Sequence, residues 1–134
     1  MAEFIFKDMV NKRGLAENFY IASAGTSSEE EGNPIYRPAG RKLALEGIPT
    51  TTRFATKMTK ADYDKYDYII GMERRNIENI RRICGGDPDN KISLLLSYTR
   101  QPDDIADPWY SGDFDTTFND IVKGCEAFLD FLGM

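Results

Sequence analysis

Ile92-Ser93-Leu94-Leu95-Leu96 is an almost wholly apolar run bounded by polar segments. A strand with one face in water alternates apolar and polar residues, whereas a strand covered on both faces does not. The run therefore predicts a buried strand of a parallel sheet with helices on both sides. Two further segments suit the same sheet. Phe19-Tyr20-Ile21-Ala22-Ser23-Ala24 is rich in β-forming residues and ends at Gly25, and Asp67-Tyr68-Ile69-Ile70-Gly71-Met72 is a second apolar run.

Helical spacing fills the intervals. Met1 to about Arg13 pairs Ile5 with Met9 and Phe6 with Val10, and Gly14 is a natural stop. Pro38 suits the first turn of a helix running through Gly40 to Glu46 and stopping at Gly47, with Leu43 and Leu45 as its expected core contacts. Thr59-Lys60-Ala61-Asp62 fits a capping box ahead of a short helix reaching Tyr63. Glu73 to Cys84 repeats apolar positions at Ile77, Ile80 and Cys84 before Gly85-Gly86. The last helix gathers Phe118, Ile121, Val122, Cys125, Phe128, Leu129 and Leu132 on one face, opposite Asn119, Lys123, Glu126 and Asp130. Strands alternating with helices imply an α/β domain with right-handed crossovers.

A chain of 134 residues with no linker or repeat reads as one domain, 1–134. The formal net charge of −5 argues against nucleic acid or an anionic membrane surface as a partner. No apolar run approaches a membrane span and no secretion signal opens the chain, so a cytoplasmic protein is expected. There is no histidine, and there are only two cysteines, Cys84 and Cys125. That composition excludes most metal sites and every Ser-His or Cys-His scheme, and it calls for no cofactor. Both cysteines lie on apolar helical stripes and read as packing thiols, which are usually inert. Any chemistry must come from carboxylates, from a thiolate activated without imidazole, or from something absent.

Asp107-Pro108-Trp109-Tyr110 sets one such carboxylate between a rigid backbone and two aromatic rings. Asp-Pro is ordinary turn chemistry, so Asp107 can be a turn initiator. It can equally be a general acid, because a carboxyl partly desolvated by aromatic neighbours keeps its proton longer. Ligands of parallel sheets bind outside the carboxyl ends of the strands. The loops leaving those ends are Gly25 onward, Met72-Glu73 onward, and Ser97 to Tyr110.

Several blocks together carry a family resemblance: Ser23-Ala24-Gly25-Thr26, Gly32-Asn33-Pro34, Lys57 to Tyr63, Asp67 to Glu73 with Asn76, and Asp107 to Tyr110 followed by Asp113-Phe114 and a long helix. In order, spacing and type the chain resembles the low-molecular-weight protein tyrosine phosphatases from Met1 to its end. The resemblance implies a flavodoxin-like fold and hydrolysis of phosphotyrosine proteins or small aryl phosphates through a phosphocysteine intermediate. It implies that Asp107 protonates the leaving phenolate and later helps activate water. It also implies that Trp109 and Tyr110 wall the substrate cleft and that Ser23 supports the phosphate loop. Glu29 stands where many relatives have an aromatic wall, and Arg53 where many have a histidine.

The family's nucleophile lies in a Cys-x5-Arg loop between a first strand and the helix that here begins at Met1. Neither cysteine replaces it, since six positions after Cys84 stands Asn90 and six after Cys125 stands Phe131. The chain therefore reads as the family's domain without its first strand and phosphate loop, about fifteen residues, and is expected to be inactive as written. With the family sheet order 2-1-3-4 the absent strand is the central one. Three strands are then expected, with exposed edges near Ile21 and Ile69 that offer a route to self-association. Two rivals are a pseudophosphatase that binds without catalysis and a redox or flavodoxin-like protein, which would need a bound cofactor.

Overall fold

The structure, a computed structural model, describes residues 1–27, 32–52 and 54–134, apart from the side chain of Trp109. Six helices and two strands are present among the described residues: α1 (Ala2–Lys12), α2 (Arg37–Leu45), α3 (Ala61–Lys65), β1 (Ile69–Gly71), α4 (Arg74–Cys84), β2 (Ile92–Leu94), α5 (Pro108–Ser111) and α6 (Phe114–Phe131). β1 and β2 are parallel, with Ile69 opposite Ile92 and Gly71 opposite Leu94.

Successive residues of a strand face opposite sides of its sheet, and here the two sides are two apolar clusters. Ile69 and Ile92 join Tyr63 of α3 and Ile80 and Cys84 of α4 on one side. Ile70 packs on the other, against a cluster built from Phe4 and Ile5 of α1, Leu43 of α2 and the inner face of α6. The expected α/β plan with helices on both faces is present. The second cluster is closed by the Asp87 carboxylate, which accepts from the Tyr63 hydroxyl at 2.7 Å and the Lys91 N–H at 2.8 Å.

The sheet has two strands where three are expected. Phe19–Ala24 is extended but enters no sheet; at its end Gly25 donates to the Thr56 carbonyl and accepts from the Met58 N–H. A strand is defined by a ladder partner, and among the described residues the sheet holds only β1 and β2. The apolar run at Ile92 also leaves the sheet early. Leu95–Tyr98 forms a 3-10 turn whose following hydroxyls, Ser97 Oγ on the Leu94 carbonyl and Thr99 Oγ1 on the Leu96 carbonyl, compete with a ladder.

Helix starts and stops follow local chemistry. Glu73 and Asn76 form a reciprocal capping box at α4, and Gly85 ends that helix in the left-handed conformation with φ +77°. Asp62 reaches back to the Thr59 N–H at 2.9 Å, half of the capping box expected there, while α3 starts at Ala61 with Lys60 at its cap. Leu43 is fully buried in α2 but Leu45 is 84% exposed, because residues two apart on a helix point to opposite sides.

Three hydrogen bonds hold the loop that carries Asp107. Ile105, buried in the core, donates its N–H to the Met72 carbonyl at the end of β1 (2.8 Å), and the neighbouring Asp104 carboxylate accepts the Arg74 N–H at the start of α4 (2.9 Å). On the other side the Thr117 hydroxyl of α6 donates to the Ala106 carbonyl at 2.9 Å. α6 itself lies unusually close to the turn after β2. A Cβ on Gly124 would overlap Cγ of Leu95 and stand 3.0 Å from its Cδ2.

That contact sets the sign of a test. In an exposed helix Gly→Ala stabilises by about 1 kcal/mol. Gly124→Ala should instead lose about 1–2 kcal/mol through overpacking, read as a lower urea midpoint, and adding Leu95→Ala should cost less than the sum of the two single changes. Asp104→Ala should leave the fold intact and speed hydrogen exchange at the Ile105 amide, because its loop then hangs on one fewer bond.

Candidate active site at the carboxyl edge of the sheet

Asp107 leaves the core immediately after buried Ile105 and stands exposed at the start of α5. Its carbonyl accepts the N–H groups of Tyr110 (3.1 Å) and Ser111 (3.2 Å), so the turn-initiating reading of Asp-Pro is realised by its backbone. The Met1 amino group lies close by: burial pushes that group's pKa down, and the negative charges of Glu3 and Asp107 oppose the shift. The Asp107 charge is thus felt at the amino-terminal end of α1.

An eleven-residue helix presents unsatisfied N–H groups and a partial positive charge at that end, and no side chain caps α1 among the described residues. A phosphate oxyanion suits such a position. Glu3, in the first turn, is buried, and its carboxylate accepts from Lys7 Nζ and from Ser23 Oγ, each at 2.6 Å. Ser23 is thereby tied to the first turn of α1.

Tyr110 is 76% exposed beside Asp107. The side chain of Trp109, and residues Glu29 and Arg53, lie outside the described residues. Further along the same rim the rings of Tyr36 and Phe114 stack at 6.1 Å. Asp113 caps α6 by accepting the Thr116 N–H at 3.0 Å, which holds its carboxyl below the usual carboxylate range.

Both thiols are buried, as their apolar stripes predict. Burial raises the Cys84 thiol, and the charges of Asp62, Asp87 and Asp64 add to the shift. Burial in the α6 core pushes Cys125 up to about 12, with Glu126 contributing. Neither is a thiolate at neutral pH. Among the described residues no cluster of acidic, cysteine or histidine side chains could hold a metal, and no helix is long and apolar enough to cross a membrane.

Sequence reasoning singled out Asp107, Tyr110 and Ser23 but passed over Glu3. The signal was present as the Glu3/Lys7 pair at i, i+4, which reads as a surface ion pair until the fold buries one partner. Asp104 and Thr117, which hold the loop, were also missed, because their partners are distant in the chain.

The sequence matches the family described as low molecular weight phosphotyrosine protein phosphatase over residues 1–133. It is 36% identical over 131 residues to the low molecular weight protein-tyrosine-phosphatase YfkJ of Bacillus subtilis, covering 96% of this chain and 84% of that protein. It is 34% identical over 139 residues to the human low molecular weight phosphotyrosine protein phosphatase, covering 97% and 85%. The crystal structure of YfkJ superposes with a TM-score of 0.93 over 98% of this chain and 84% of that one. The chain belongs to the low molecular weight phosphotyrosine protein phosphatase family.

Proposed function

We propose that this chain carries the acid half of a phosphotyrosine phosphatase site, with Asp107 as the general acid, and that these 134 residues do not by themselves hydrolyse aryl phosphates. The observation that supports this most is the Asp107 loop, tied to the carboxyl end of β1 by the Ile105 N–H on the Met72 carbonyl at 2.8 Å, together with the amino-terminal end of α1, which carries no side-chain cap. That end attracts the phosphate dianion, and a carboxyl beside it is placed to serve the leaving oxygen. Ser23 supports the loop that cradles the phosphate, and Trp109 and Tyr110 flank the aromatic ring of the substrate. The substrate class is a phosphotyrosine protein, in line with the phosphotyrosine protein phosphatase names of the relatives, or a small aryl phosphate of the same chemistry. A cytoplasmic location, where thiols stay reduced, is part of the same reading.

The chemistry has two displacements. A cysteine thiolate attacks phosphorus, an S–P bond forms, and the P–O bond to the phenol breaks as Asp107 gives its proton to the departing oxygen. Water then attacks phosphorus, the S–P bond breaks, and Asp107 takes a proton from the water as phosphate leaves. The thiolate must have a low pKa and an arginine to bind the phosphate oxygens. Cys84 and Cys125 offer neither, since both thiols are raised and Asn90 and Phe131 stand where the arginine would be.

Hydrolysis of para-nitrophenyl phosphate at mildly acidic pH tests the proposal. The chain alone should show none, a version carrying a strand and Cys-x5-Arg loop ahead of Met1 should turn over, and Asp107→Asn in that version should lower kcat by about 10²–10⁴-fold. Turnover by the 134-residue chain itself would overturn the assignment of the nucleophile. Failure of both versions would favour a pseudophosphatase that binds in the same cleft.

A further inference from the structure

Buried polar side chains are almost always hydrogen-bonded. Among the described residues Glu3 and Asp8 of α1 have their partners one turn on, in Lys7 and Lys12. Thr117 of α6 is buried as well, and it carries no charge. It lies one turn before Ile121 on the face that packs into the core, where an apolar side chain would serve packing alone. A threonine inside a helix commonly turns its hydroxyl back to the carbonyl one turn earlier. Here the hydroxyl leaves the helix and donates to the Ala106 carbonyl at 2.9 Å, 11 positions back along the chain.

The Ala106 carbonyl belongs to the same planar peptide unit as the Asp107 N–H. The next peptide unit is held too, since the Asp107 carbonyl accepts the N–H groups of Tyr110 and Ser111 at 3.1 and 3.2 Å. Those two planes meet at the Asp107 Cα, and together they fix the direction of its Cβ. Pro108 narrows the choice further, because a residue ahead of proline is biased to extended conformations. The carboxylate is thereby carried in one direction, set on its upstream side by the Thr117 hydroxyl. We propose that Thr117 is a positioning residue for the general acid: its hydroxyl orients the peptide unit ahead of Asp107 and so aims the carboxylate at the leaving oxygen of an aryl phosphate. The role rests on Asp107 being the acid, and Thr117 itself touches no substrate. Asp104 is tied to Arg74 three residues ahead of Asp107, so it steadies the loop without setting that plane.

A misaimed acid is felt most where the leaving group needs its proton. Phenyl phosphate releases a phenolate about as basic as that of tyrosine, whose hydroxyl has a pKa of about 10. The phenolate of 2,4-dinitrophenyl phosphate is stable enough to leave unprotonated. Both esters would be given to the version carrying the strand and Cys-x5-Arg loop ahead of Met1, and kcat/KM compared, since it reports the first displacement. Thr117→Val keeps the branched shape and removes the donor. It should lower kcat/KM for phenyl phosphate about tenfold and for the dinitrophenyl ester less than about twofold, and Thr117→Ser should restore most of the loss. In the 134-residue chain the valine change should also speed hydrogen exchange at the Tyr110 amide, which bonds to the Asp107 carbonyl. Equal losses on both esters, no rescue by serine, or unchanged exchange at Tyr110 would overturn the proposal. Asp107→Asn separates it from the acid assignment beneath it. If that change strikes both esters equally, the acid assignment falls and Thr117 with it; if it singles out phenyl phosphate while Thr117→Val does not, only the role of Thr117 falls.

Discussion

The close contact between Gly124 and Leu95 is what the arrangement of this molecule depends on. With two three-residue strands among the described residues, the sheet contributes few ladder bonds, and the fold is held largely by α6 lying against the turn that follows β2. Glycine at position 124 removes the side chain that would keep them apart. Phe118, Ile121, Cys125 and Phe128 then reach α1 and Leu95 in one cluster, and Phe128 also contacts the rings of Phe6, Tyr68 and Tyr98. The same helix sends Thr117 to the Ala106 carbonyl, so the seating of α6 and the position of Asp107 are one problem.

Function follows from where that seating holds Asp107. Asp107 is anchored from both sides through main-chain bonds, which leaves its carboxylate at the surface on a held backbone. Its charge is felt at the end of α1, where the helix field favours an anion and the buried Glu3 organises Ser23 and Lys7. The two thiols are withdrawn into the apolar clusters on either side of the sheet. The proposed acid lies at the surface, while both cysteines are buried as packing.

Much of this was legible in the chain. The apolar stripe of α6, the glycine stops after α1 and α4, and the burial of both cysteines follow from spacing and turn chemistry alone. The turn at Asp107-Pro108 was legible because Asp-Pro is ordinary turn chemistry. What was not legible depends on neighbours. Phe19–Ala24 has strand composition, but composition supplies no ladder partner, and Leu45 shares the apolar character of Leu43 while lying on the opposite side of α2. Glu3 looks like a surface charge until Ser23, twenty positions away, is folded onto it.

The account holds that these residues contain an acid and no activated thiol, and alkylation by iodoacetamide tests that most directly. Folded protein would be treated at about pH 6, where only a thiol of low pKa reacts quickly, and the modified positions read by mass spectrometry with and without inorganic phosphate. The account predicts that Cys84 and Cys125 stay unmodified until the chain is unfolded in urea. Rapid modification of either one in the folded protein, slowed by phosphate, would contradict it.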